Sequence, residues 1–137
     1  MIVLDMRLLK VLLIFALGAM IRTNAQGQSS QHQVYSNVAY NEEAGDLIGT
    51  ELELNLQGKS ATGQLRIYQG SCADPIAVSG TFSPHEMRLA GQSGILGKVE
   101  IVGAIKAGEL RATVRLALAE KPEFVILKKI PKAHCSN

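Results

Sequence analysis

Apolar and polar residues alternate with a period of two over most of the chain beyond residue 33. The clearest example is residues 51–57, where Leu52, Leu54 and Leu56 share one face and polar residues share the other. Successive side chains of a β-strand point to opposite faces, so this alternation predicts strands with one buried face. Helical periodicity is hard to find in the same region, and we therefore predict an all-β domain.

The alternating pattern divides into short strands separated by turn residues. Eight strands are predicted, at residues 34–40, 51–57, 64–68, 76–82, 85–90, 99–105, 110–118 and 124–127. Glycine, proline and aspartate mark the connections between them, and residues 107–108 form a two-residue hairpin signal. Besides the three leucines above, the residues predicted to face the core are Leu65, Ile67, Ile76, Val78, Gly80, Phe82, Met87, Leu89, Leu110, Ala112, Val114, Leu116 and Leu118.

Short connections between sequential strands favour antiparallel pairing. Such strands form either a closed up-and-down barrel or a two-sheet sandwich. The barrel is favoured, because a Greek-key sandwich needs longer crossovers and because closure removes exposed strand edges. In strand count and meander order this barrel resembles avidin-like and lipocalin-like barrels. Neither family's motifs are found, so the resemblance implies an architecture and carries over no function and no residues.

One strand does not alternate cleanly. Val102 and Ala104 are apolar but lie between residues predicted to face inward. Two explanations are possible: the outer face of this strand is covered, or the register changes at Gly103, since glycine is common at bulges.

Residues 1–25 have the parts of a cleavable signal peptide. Arg7 and Lys10 supply the positive start, and residues 11–21 form an apolar run. Small residues precede the predicted cleavage point after Ala25. The apolar run is too short to span a bilayer core, which needs about 20 apolar residues.

The alternatives to cleavage are an uncleaved N-terminal anchor and a buried helix. Asp5 fits poorly into the start of a signal peptide, so a start of translation at Met6 was also considered. Under the cleavage interpretation, residues 26–33 are a flexible polar leader and residues 34–137 form a single antiparallel β domain, secreted or periplasmic and without a stable membrane anchor.

The charge balance changes when the signal peptide is removed. The chain has 14 basic and 12 acidic residues, of which Arg7, Lys10, Arg22 and Asp5 lie in the first 25 positions. The mature part is therefore close to neutral. This argues against nucleic-acid binding, which depends on a basic face.

The two cysteines, Cys72 and Cys135, both lie in the predicted mature domain. An even pair in an oxidising compartment predicts one disulfide, which ties the C-terminus to a loop in the middle of the chain. A redox or metal-binding pair is the alternative, but the C-x-x-C spacing typical of such pairs is missing.

The search for catalytic motifs is mostly negative. Residues 91–94 resemble a serine nucleophile elbow only superficially, since no helix is predicted to follow. His32, His85 and His134 have no carboxylate partner at a spacing that indicates a relay, and no local ligand set fits zinc. We predict no cofactor, no metal and no catalytic residues.

Two loops contain the candidate ligand-binding residues. Glu42, Glu43 and Asp46 form an acidic cluster, and paired carboxylates can bind Ca²⁺ or act in acid–base chemistry. The second group of candidates, Tyr68, Ser71 and Asp74, lies in and before the loop that contains Cys72. Rigid loops at a barrel mouth commonly hold binding residues.

The sequence fits a non-catalytic binding module for a small apolar ligand or a protein partner. One alternative is a secreted hydrolase with a site assembled from loop residues such as Ser71, Asp74 and His85. Another is a structural or interaction protein without a pocket. Three observations distinguish them: a cavity, an exposed apolar patch around Val102 and Ala104, or a histidine within hydrogen-bond reach of Ser71 or Asp74. The sequence leaves the oligomeric state open.

Overall fold

A computed structural model describes residues 29–135 as an all-β, single-domain barrel. Its strands are β1 (Gln31–Ser36), β2 (Ala39–Asn41), β3 (Asp46–Gln57), β4 (Ser60–Gly70), β5 (Ile76–Phe82), β6 (Met87–Ser93), β7 (Gly97–Lys106), β8 (Glu109–Leu116) and β9 (Glu123–Ile130). The predicted signal peptide lies outside the described residues, and so does its cleavage point. Within the described part of the chain, no helix has the length and apolar character needed to cross a membrane.

The strands form a closed antiparallel barrel of eight strands with one extra strand. Each strand from β3 to β9 pairs with the next one in sequence, and β1 closes the barrel by pairing with both β3 and β9. The extra strand is the short β2, which pairs with the first residues of β3. The prediction of a meander barrel rather than a sandwich is confirmed.

The barrel interior is packed with the predicted apolar face of each strand. Leu52, Leu54 and Leu56 join inward residues from every other barrel strand in one buried cluster. Two residues depart from the prediction. Gly80 is exposed in β5. The Leu118 side chain is 73% exposed, because β8 ends at Leu116 and the chain has already turned.

Most strand bounds differ from the sequence prediction, and the differences that bear on the fold lie in β1, β2 and β4. The first predicted strand is divided at residues 37–38 into β1 and β2, and β1 begins at Gln31, inside the predicted leader. The turn after β3 contains only residues 58–59, so residues 61–63 belong to β4 rather than to a turn. Gly63 faces inward in β4 at a position where a Cβ would lie 2.2 Å from the Glu53 carbonyl oxygen, so the close approach of the two strands requires glycine there.

Neither explanation offered for the apolar outer face of β7 is correct. The pairing of β7 with β6 and β8 runs through Gly103 without a change of register. Val102 points outward and is 37% exposed, so no segment among residues 29–135 covers it fully.

The two ends of the barrel differ in their connections. The end that we call the turn end has short turns at residues 58–59, 83–86 and 107–108. The opposite end, which we call the open end, has the connections at residues 42–45, 71–75, 94–96 and 117–122.

Candidate functional site at the open end

A surface cavity of about 450 Å³ lies at the open end, where β5 and β6 separate. The pairing of β5 with β6 stops at Val78 and Gly91. However, β5 continues to pair with β4 as far as Ile76, and β6 continues to pair with β7 as far as Ser93. The unpaired ends of β5 and β6 therefore form two walls of the cavity.

The cavity combines an apolar lining with a few polar groups. Ile67 and Ile76 pack against the barrel core on one side and line the cavity on the other. The loop after β6 adds Ile95 and Leu96, and Ser93 fixes this loop by accepting hydrogen bonds from both of their backbone N–H groups, at 3.2 and 3.0 Å. The polar lining side chains are Gln69, Asp74, Gln92 and Ser93. Volume and lining are in the range typical of small-molecule sites.

The three candidate residues around Cys72 do not converge. Asp74 lines the cavity, whereas Ser71 lies exposed in the same loop and does not line it. Tyr68 points to the outside of β4, where it is only 1% exposed. Of this group, only Asp74 is placed to contact a molecule in the cavity.

The acidic candidates occupy the turn between β2 and β3. Glu42 and Glu43 are exposed in the turn, and Asp46 is half-buried where β3 begins. The side-chain oxygen of Asn41 fixes the turn by accepting hydrogen bonds from the backbone N–H groups of Glu43 and Ala44. Among residues 29–135, no group of three or more His, Cys, Asp or Glu side chains is placed to hold a metal ion.

The C-terminal residues 131–135, here called the tail, cover a polar cluster on the outside of β3 and β4. The predicted disulfide between Cys72 and Cys135 is present and holds the tail to the loop after β4. Under the tail lie Glu51, which is 0% exposed, and the phenol of Tyr68. A disulfide-tied chain end has thus buried a carboxylate on the face of the barrel that would otherwise contact solvent.

Glu51 is fully hydrogen-bonded in this position. One carboxylate oxygen lies 2.5 Å from Nδ1 of His134. The other accepts hydrogen bonds from the His134 backbone N–H at 3.1 Å and from the Tyr68 hydroxyl at 3.3 Å. Burial raises the pKa of the Tyr68 phenol, and the negative charge of Glu51 beside it raises that pKa further.

A second ion pair extends the cluster along the barrel. Arg66 is 5% exposed, and its guanidinium lies 3.6 Å from a carboxylate oxygen of Glu53 and donates to the side chain of Gln64 at 2.9 Å. His32 contacts the other oxygen of Glu53 at 3.5 Å. Arg66 and Glu53 thus place opposite charges side by side on the outer faces of β4 and β3.

The Glu51–His134 pair has the geometry of a carboxylate that orients an imidazole. A hydrolytic relay also needs a nucleophile hydrogen-bonded to that imidazole. Among the described residues, no Ser, Thr or Cys side chain makes that bond, and neither Ser71 nor Asp74 is hydrogen-bonded to a histidine. This arrangement supports a structural role for the pair, which fixes the tail on β3.

Sequence analysis missed the Glu51 cluster. Glu51 stands at an outward position of an alternating strand, and such positions are usually solvated. One available signal was the predicted disulfide, because pairing Cys135 with Cys72 brings the neighbouring His134 close to the end of β4. The separation of β5 from β6 has no comparable signal in the sequence.

Comparison with known proteins gives no relatives for this barrel. No protein-family model, no curated protein and no solved structure matches the chain.

Proposed function

We propose that this protein is a non-catalytic, exported binding protein that holds a small, largely apolar molecule in the open-end cavity. The observation that carries the proposal is the cavity of about 450 Å³ between the separated ends of β5 and β6. Its mixed lining favours a ligand with an apolar body and one polar end. Export is supported by the Cys72–Cys135 disulfide, because disulfides persist mainly outside the cytoplasm.

The charge of Asp74 indicates which polar group the cavity prefers in a ligand. Its carboxylate is the charged group that lines the cavity, while Gln69, Gln92 and Ser93 are neutral. A carboxylate accepts hydrogen bonds and attracts positive charge. The cavity therefore fits an apolar amine or alcohol better than an apolar acid.

The first test measures binding of the fluorescent probe N-phenyl-1-naphthylamine to the disulfide-bonded protein. Ala73 lines the cavity, so Ala73→Trp fills it and is expected to weaken probe binding about tenfold. Ala119→Trp is the matched control, because Ala119 is exposed at the same end and does not line the cavity. Equal loss in the two variants, or no saturable binding to the unaltered protein, contradicts the proposal.

The second test displaces the probe with decylamine or decanoate below their micelle concentrations. Decylamine is expected to compete about tenfold better, since its ammonium can pair with Asp74. Asp74→Asn should bring the two competitors close to equality. If decanoate competes better in the unaltered protein, the assigned ligand polarity is wrong even where the probe itself binds.

Native mass spectrometry of the protein purified from its own host would identify the ligand directly. A retained small-molecule mass that Ala73→Trp abolishes and Ala119→Trp preserves would support the proposal.

A further inference from the structure

The wall of the barrel is not paired along the whole length of β9. The strands β1 and β2 follow one line along β3, since Ser36 pairs with Glu51 and Ala39 pairs with Ile48 in the same register. On the other side, only three residues of β1 pair with β9, the last being Ser36 with Lys128. Beyond that point β2 stays with β3, and the part of the chain that the structure describes pairs residues 123–127 of β9 with β8 alone. We call the space between β2 and residues 123–127 the open seam.

Local contacts at residues 37–38 fix the point of separation. The side-chain oxygen of Asn37 accepts a hydrogen bond of 2.6 Å from the backbone N–H of Thr50, in place of regular strand geometry. Opposite it, Gly49 has a φ of +139°, and a Cβ there would lie 2.7 Å from both Asn37 Oδ1 and the Val38 Cα. The separation therefore depends on the side chains at positions 37 and 49. Asparagine supplies the accepting oxygen, and glycine leaves room for it.

The strand edges facing the open seam carry unpaired backbone groups. Backbone groups of successive strand residues point alternately to the two sides of the strand. The N–H of Lys129 donates to Gly108, on the β8 side, so Phe124 and Ile126 direct their backbone groups to the seam. By the same alternation, the N–H of Asn37 donates to Thr50 on β3, so Tyr40 directs its groups to the seam from the other side. Within residues 29–135, these seam-facing groups have no backbone partner.

The borders of the open seam are apolar. The side chains of Tyr40 and Phe124 are each 62% exposed, and Ile126 is 41% exposed. Exposed strand edges with apolar side chains are sites where another strand adds, unless the protein blocks them with proline, a bulge or charge. Here residues 123–127 contain neither proline nor glycine, and their register with β8 is regular.

Charge at the open end indicates the kind of strand that fits. Carboxylates lie on both sides of the seam. Glu42 and Glu43 are in the turn after β2, and Asp46 begins β3. On the other side, Glu120 precedes β9 and Glu123 begins it. The basic groups along it are Lys121 at the open end and Lys128 where the seam closes. Acidic residues therefore predominate, most strongly at the open end.

We propose that the open seam binds an extended segment of a partner protein, with alternating apolar residues and with lysine or arginine at the end near residues 42–46. The segment lies between β2 and β9 and pairs antiparallel with residues 123–127, so its backbone hydrogen-bonds to the seam-facing backbone groups of Phe124 and Ile126. A second copy of this chain is the competing occupant, and the dependence of hydrogen exchange on protein concentration distinguishes it from a partner segment. This site is separate from the cavity between β5 and β6.

The test uses a defined probe, the peptide acetyl-Val-Thr-Val-Thr-Val-Lys-Lys-amide, with the disulfide-bonded protein. When this peptide pairs antiparallel with β9, which begins at the open end, its C-terminal lysines lie near residues 42–46. Amide chemical-shift changes should concentrate at Tyr40, Phe124 and Ile126. Two control peptides separate the contributions: one has glutamate for lysine, and the other has N-methyl groups on alternate residues. Each is expected to bind about tenfold more weakly, through lost charge pairing or lost backbone hydrogen bonds.

A matched pair of variants tests the edge of β9. Ile126→Pro removes an N–H that points to the seam and leaves the hydrogen bonds to β8 in place. The variant should therefore bind the probe peptide about fivefold more weakly. Ile126→Val keeps that N–H and should retain affinity within about twofold. Equal binding of the lysine and glutamate peptides, or shifts confined to the cavity residues, would overturn the proposal.

Hydrogen exchange of the unaltered protein gives a readout that does not depend on any variant folding. The amides of Phe124 and Ile126 should exchange about 100-fold faster than those of Val125 and Leu127, and should slow when the lysine peptide is bound. Slow exchange at Phe124 and Ile126 in the free monomer would show that the seam is closed. If protection of these amides against exchange increases with protein concentration, the seam binds a second copy of this chain. Either result contradicts the proposal that the seam binds a segment of a partner protein.

Discussion

The two ends of this barrel are built from the same strands but differ in how far neighbouring strands remain paired. At the turn end, connections of two to four residues keep neighbouring strands paired to their last residues, as in the pairing of Gln57 with Ser60 and of Lys106 with Glu109. At the open end, β5 separates from β6 and β2 separates from β9. The comparison shows that the connections, rather than the barrel core, decide where surface is available for binding.

Exposed apolar side chains follow the same division. Tyr40, Ile48, Ile95, Leu118 and Phe124 are each at least 51% exposed, and all lie at or near the open end. The turns of the opposite end present mainly small, polar or charged residues such as Lys59 and Glu86. An asymmetry of this kind is typical of a barrel that uses one end for recognition.

The largest expected effect comes from releasing the tail at the open end. Replacing Cys72 and Cys135 by serine opens a loop with a sequence separation of 63. The chain-entropy estimate for that loop is about 4 kcal/mol of lost unfolding free energy. Urea unfolding of the variant and of the disulfide-bonded unaltered protein measures this loss. The reduced unaltered protein is the control and should unfold as the variant does. A loss below about 1 kcal/mol would contradict the chain-entropy estimate, since it would mean that the disulfide restricts the unfolded chain little relative to the folded one.

Removing the buried carboxylate under the tail should have the next largest effect. Glu51→Ala leaves His134 and Tyr68 without their shared partner, and we expect a loss of about 3 kcal/mol in unfolding free energy. The matched control lies at the turn end: Glu86→Gln breaks an exposed ion pair with Arg88 and should change stability by about 0.5 kcal/mol or less. Similar losses in both variants would remove the distinction between the ends.

The pH dependence should report on the same cluster. Burial raises the pKa of Tyr35 and Tyr68 above the ordinary value of 10.0, and Glu51 contributes at Tyr68. Above that value the unfolded chain loses these protons before the folded protein does. The stability contribution is therefore fully present below it and is lost as the pH rises through the folded-state values.

Tyrosinate absorbance and urea unfolding across the alkaline range measure this effect. Glu51→Gln should bring the ionisation of Tyr68 to lower pH and leave that of Tyr35 in place. Tyr68→Phe should reduce the alkaline loss of stability. An unchanged alkaline titration in Glu51→Gln would mean that Glu51 does not act on Tyr68.

Much of the barrel could be predicted because its signals are local. The strand at residues 76–82 was predicted with its observed bounds, since Pro75 and the Ser83–Pro84 turn stop it on both sides. Inward positions followed from alternation alone, as for Met87 and Leu89. Where the signal was weak, as at residues 61–63, the predicted turn was longer than the observed one, which contains only residues 58–59.

The features of the open end depend on contacts between distant residues, which alternation does not encode. The division of the first strand depends on Asn37 bonding to Thr50, 13 residues away. The burial of Glu51 depends on His134, 83 residues away. Of the candidate binding residues, Asp74 was found because its loop is marked by Pro75 and Cys72, whereas the apolar cavity lining came from strands that looked like ordinary core.

The smallest expected effect is a gain in stability from a substitution at the turn end. Ala107 and Gly108 both have positive φ, +53° and +75°, which is the geometry of a type I′ hairpin turn. Alanine is strained in this region, whereas asparagine tolerates it, so Ala107→Asn should raise the unfolding free energy by about 0.5–1 kcal/mol. Because the turn end takes no part in either proposed site, the variant should bind N-phenyl-1-naphthylamine and the lysine peptide as the unaltered protein does. A gain in stability accompanied by weaker binding would show that the two ends are coupled through the barrel, and the division drawn between them would then fail.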